Sequence, residues 1–150
     1  MIQTPQTYSE WVNVIDIFKE KQNDEEVLKA MKSGTLEWQI GVAERFTKRL
    51  NDAVTSRINA MTDKFQRNLS SARGGESAVV QALLAVRKEM YFLSQAVDIQ
   101  ALPEEQRKQC KQLVIDAANS IQHSLEDSAV KIDRSGKMAS IVRNHKVNSF

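Results

Sequence analysis

The sequence predicts an all-α protein, an elongated bundle of three long antiparallel helices with two shorter N-terminal helices and a short C-terminal one. Three observations carry that prediction. Only 5 Gly and 2 Pro punctuate 150 residues, too few for a chain built from many turns and strands. Residues 45–69, RFTKRLNDAVTSRINAMTDKFQRNL, run without either. Apolar residues also recur at steps of three and four through most of the chain, the spacing of one helix face.

The elements follow in order. Thr7 with Glu10 three residues later is a capping box, each side chain satisfying a backbone N–H at the start of a helix. Tyr8, Trp11, Val12, Ile15 and Phe18 continue the helix toward Gln22. Asn23 or Asp24 caps a second, short helix, whose Glu25 and Glu26 face the positive end of the dipole. Val27, Leu28 and Met31 point inward, and Gly34 closes the C-terminus. Thr35 then caps the long helix, with its row Ala43, Phe46, Leu50, Val54, Ile58, Met61, Phe65 and Leu69. From Leu36 to Ala72 it spans roughly 54 Å at 1.5 Å per residue, more than the ~30 Å width of a compact domain this size. That length predicts elongation.

Gly74-Gly75 turns the chain into a fourth helix rich in Val79, Val80, Leu83, Leu84, Val86, Met90, Tyr91, Leu93 and Val97. So short a reversal makes neighbours antiparallel. Pro103 suits the first turn of a fifth helix, with Cys110, Leu113 or Val114, Ala117, Ile121, Leu125 and Ile132 along its stripe. Ser135-Gly136 breaks it. Met138, Ile141 and Val142 give one face of a last short helix. The expected organisation is one helical-bundle domain over residues 1–136, at 41% hydrophobic large enough for its own core, and a basic tail over 137–150, readable as a docking helix.

The chemistry-bearing residues are few. Two histidines, His123 and His145, do not supply the paired Glu-x-x-His of a carboxylate-bridged metal site, and His123 beside Leu125 reads as structural. No metal and no cofactor is expected. Cys110, the single cysteine, has no partner for a disulfide and falls on the apolar stripe, which makes it a buried inert thiol and the compartment a reducing one. GGES and DRSGKMAS match no phosphate-loop pattern and are helix punctuation. The Asn68-Leu69-Ser70 sequon falls within a helix and is incidental. No stretch reaches the length and apolarity of a membrane span, and the start lacks a signal-peptide pattern. A cytoplasmic location and no membrane partner are the expectation.

Net charge is only +2, but its distribution is informative. Arg45, Lys48, Arg49, Arg57, Lys64 and Arg67 fall within about half the circumference of the long helix at 100° per residue. Glu44, Asp52 and Asp63 interrupt them, and no aromatic residues are interleaved for base stacking. From Lys131 onward Arg134, Lys137, Arg143 and Lys146 join against Asp133 alone, a local +4 where the rest of the chain sums to −2. These ten basic residues, Lys131 apart, are the candidate partner-binding set. The expected function is non-enzymatic, an accessory subunit presenting a long helical surface to a protein partner. The alternative is a nucleic-acid-associated helical protein using stripe and tail, and self-association is compatible with both.

Overall fold

A computed structural model describes residues 2–39, 41–71, 75–132 and 135–150, without the side chains of 68–71, 75 and 132. Among the described residues the chain is a bundle of six helices with no strand: α1 (Tyr8–Lys19), α2 (Asp24–Ser33), α3 (Val42–Ser71), α4 (Gly75–Ala96), α5 (Glu104–Ile132) and α6 (Lys137–Asn144). The all-α class expected from the spacing is the class observed. At 30 residues, α3 is about 45 Å long. Gly74, half of the expected glycine reversal before α4, lies outside the described residues, as does Arg134 of the basic tail.

Packing divides the chain into two units. Unit 1 comprises Met1–Asn59 and Leu93–Leu113, and unit 2 comprises Ala60–Phe92 and Val114–Phe150. The division falls inside α3, α4 and α5 rather than at residue 136, and the basic tail belongs to unit 2.

Unit 1 forms around two tryptophans. The expected capping box opens α1: the Thr7 hydroxyl accepts from the Glu10 amide at 3.2 Å and Glu10 Oε1 accepts from the Thr7 amide at 3.2 Å. α1 then buries Trp11, Val14, Ile15 and Phe18. The Trp11 and Trp38 rings each meet Phe46 of α3 edge-on, at 5.4 and 5.2 Å between centroids, an arrangement in which ring edges face π-clouds. Both indole N–H groups donate to backbone carbonyls, Trp11 to Thr35 at 3.1 Å and Trp38 to Ala101.

Three local expectations change here. Asn23 sits at the N-cap of α2 in the left-handed region and makes no side-chain cap, and the carboxylate of Asp24, the other candidate, is drawn to Arg57. Gly34 follows α2 in extended conformation, φ −67°, so it is not needed for a left-handed turn. A Cβ there would stand 2.5 Å from Trp11 Cζ2 and 2.8 Å from Pro5 Cγ. Thr35 caps nothing: its N–H donates to the Pro5 carbonyl at 2.9 Å and its own carbonyl receives Trp11. α3 therefore starts at Val42, six residues later than the Leu36 start that a Thr35 cap would give.

In unit 2, Met61 and Phe65 of α3, Val86 of α4 and Ile121 and Leu125 of α5 converge on an apolar cavity of about 80 Å³. Leu83, Val86, Met90, Val114, Ala118 and Ala129 complete the buried seam of these helices. Gly136, φ +84°, lets the chain turn into α6. The apolar core then continues past residue 136, through Ala139, Val142 and Val147.

Candidate interaction surface

On the basic flank of α3, Arg57, Arg45 and Arg49 are turned to intramolecular use. Arg57 is 3% exposed. Its guanidinium donates to both Asp24 carboxylate oxygens at 3.0 and 2.9 Å, donates to the Phe18 carbonyl at 3.0 Å, and lies over the Phe18 ring at 4.7 Å. A planar fork suits a bidentate pair with a face stacked on an aromatic. Arg57 thus ties α3 to α1 and α2 and leaves the set of surface residues. Arg45 lies over the Tyr8 ring at 5.7 Å and donates to the Gly41 carbonyl, and Arg49 approaches Asp16 at 3.9 Å. The flank of the long helix touches the N-terminal helices.

Lys48 is exposed, but it borders a polar cleft of about 530 Å³ whose other walls include Glu44, Asp52 and Glu105. Three carboxylates around one ammonium are a poor setting for phosphate. Lys64 and Arg67 are exposed and fall in unit 2.

The tail is clamped by one side chain. Gln122 of α5, buried, donates from Nε2 to the Val142 carbonyl at 3.3 Å and accepts the Val147 amide on Oε1 at 2.9 Å. One amide thereby satisfies both a carbonyl near the end of α6 and an N–H of the segment after it. Glu126 receives a second Nε2 bond at 3.2 Å. Asn148 donates to Asn119 of α5 at 2.9 Å, and Arg87 of α4 donates to the Ser149 carbonyl at 3.0 Å. Lys137 pairs with Glu76 at the other end of α6. Arg143 and Lys146 remain exposed, and neither forms an ion pair among the described residues.

These bonds locate an apolar rim that composition does not reveal. Among the described residues the large exposed hydrophobic side chains are Leu84, Tyr91, Ile115, Val130 and Phe150, all in unit 2. Leu84 and Tyr91 lie three residues before and four after Arg87, on its side of α4. Ile115 is one turn from Asn119 on α5, and Phe150 follows Ser149. These side chains, 46, 53, 42 and 45% exposed, thus stand within one turn or one residue of the groups that hold the tail. The signal was present in the sequence: α4 holds more apolar residues than one stripe can bury, and Leu84 and Tyr91 stand a step off the Leu83–Met90 seam.

Of the remaining candidates, Cys110 is fully buried. Burial pushes its thiol up to about 11, the neighbouring Thr47 hydroxyl drawing it weakly downward without reaching hydrogen-bond geometry, so little of it is thiolate near neutrality. His123 is exposed, 3.5 Å from Asp127 one turn on, rather than set in the apolar row. No group of three His, Cys, Asp or Glu side chains that could hold a metal occurs among the described residues, and none of the described helices is long and apolar enough to cross a membrane. No known family model matches the chain, and comparison with characterised proteins and with solved structures finds no match either.

Proposed function

We propose that this protein is an accessory subunit of the cytoplasm that docks a protein partner through unit 2, on the face made by α4, α5 and the C-terminal segment. The observation that carries the reading is the exposure of Leu84, Tyr91, Ile115 and Phe150 on the elements that hold the docked tail, next in sequence or one turn from the residues that bond it. Exposed apolar clusters with a polar border are characteristic of binding surfaces, and large aromatic and aliphatic anchors supply most of the energy when a partner covers them. The basic residues of the tail, Arg143 and Lys146, would speed and orient encounter more than they would hold the complex. The long α3 surface, with Arg45, Arg49 and Arg57 committed to α1 and α2, serves as scaffold.

Site-specific photo-crosslinking in the native host tests the reading. A crosslinker at Leu84 or Tyr91 should capture one and the same protein, whereas a crosslinker at exposed Lys29 of α2 should not. Capture of nucleic acid from Arg67 or Lys146, with none of a protein from Leu84 or Tyr91, would favour the nucleic-acid alternative.

A further inference from the structure

We infer that the partner segment received by this face is an acidic amphipathic helix, an inference that rests on the docking role proposed above. The first argument is spacing. Leu84 and Tyr91 are one heptad apart, about 10.5 Å along α4. A helix laid along α4 can offer an apolar side chain at both levels, because its own a and d positions repeat at that distance. A strand cannot: at about 3.3 Å per residue the same distance is three residues, which places the two side chains on opposite faces.

The second argument is charge. Arg87 and Lys88 project between the two apolar residues, at three and four residues from each. Lys88, Arg143 and Lys146 are exposed and form no ion pair among the described residues. The carboxylates of the same elements are mostly drawn elsewhere: Glu76 to Lys137, Glu126 to Gln122, and Glu89 into the buried interior. Asp116, beside Ile115, and Asp127, beside His123, are exposed counterweights on α5. A helix with glutamate or aspartate flanking its apolar row meets this border with opposite sign.

The third argument disfavours α4 of a second copy as occupant. In an antiparallel two-fold pairing along α4 the axis passes midway between Leu84 and Tyr91, where Arg87 would face Lys88 of the copy and Lys88 its Arg87. In a parallel pairing each residue faces itself, with the same result. Like charges at the centre of a seam disfavour association.

The test uses the intact protein and synthetic helix-forming peptides with leucine at a and d positions. One peptide carries glutamate at all flanking positions, a second carries lysine there, and a third has the glutamate composition in scrambled order. The glutamate peptide is expected to bind saturably and at least about tenfold more tightly than either control, with affinity falling as salt rises from about 50 to 500 mM. Leu84→Glu should abolish binding. Lys88→Glu, which removes no buried group, should weaken the glutamate peptide about tenfold and improve the lysine peptide. Equal binding of the glutamate and lysine peptides, or none of the glutamate peptide to the folded protein, overturns the acidic helix. So does self-association of the free protein that Leu84→Glu abolishes, or tighter binding to phosphatidylserine vesicles than to the peptide. Specific crosslinking from Leu84 with peptide indifference would leave the docking role standing and this inference false, so the two fail separately.

Discussion

Gly34 is a position where the absence of a side chain is the function of the residue. Its φ suits any amino acid, yet the ring of Trp11 occupies the space of a Cβ. Gly34→Ala should therefore cost about 1–3 kcal/mol through forced displacement of a core ring, read as a lower denaturant midpoint with unchanged slope. Cys110 gives a second, pH-dependent expectation. The unfolded thiol ionises near 9.0 and the folded one at about 11, so between those values the unfolded state has released a proton that the folded state keeps. The stabilisation is complete below pH 9 and is lost as pH rises toward 11, on the order of 2–3 kcal/mol. Urea melts of wild type and Cys110→Ala across that interval check it: the alanine variant should lack this part of the decline.

At the level of elements, the pairing of helices with the tail is the feature that charge conceals. The sequence marks residues 137–150 by their basic excess and by the Ser135-Gly136 break, and both suggest a segment that could be removed without harm. The structure buries Val142 and Val147 and satisfies their backbone groups through Gln122. Deleting 137–150 should cost about 3–6 kcal/mol from the two valines, and should expose the α5 amides to hydrogen exchange. Phe46→Ala, which removes the ring between Trp11 and Trp38, should cost about 3–5 kcal/mol in an equilibrium melt. The core rows were legible because burial on one face of a helix writes a period into the sequence, as Ala43, Phe46, Leu50 and Val54 show. The start of α3, the pairing of Arg57 and the role of Gln122 were not, because each depends on a residue far along the chain. A periodic row says which face is apolar but cannot say which polar residue beside it will be covered.

Across the whole molecule the mild net charge conceals two unequal parts. By sequence, unit 1 holds eleven Lys and Arg against twelve Asp and Glu, and unit 2 holds ten against seven. Arg45 and Arg49 are held against Tyr8 and Asp16, and the carboxylates of Glu44 and Asp52 interrupt the basic row of α3. Binding to duplex or single-stranded nucleic acid should be weak and fall steeply between about 50 and 200 mM salt. Submicromolar affinity at physiological salt, lost on reversing Arg45, Arg49 and Arg67, would contradict this, and fluorescence anisotropy with labelled oligonucleotides measures it.

Both tryptophans, Trp11 and Trp38, belong to unit 1, while unit 2 has Tyr91 as its tyrosine and no tryptophan. The protein thus carries its own optical labels. Excitation at the red edge of the indole band follows the Phe46 cluster alone, tyrosine emission includes the proposed docking face, and the circular dichroism of the peptide groups follows all six helices. Coincident melting by the three signals would mark a single cooperative transition, and an indole transition displaced from the helical one would give each unit its own stability.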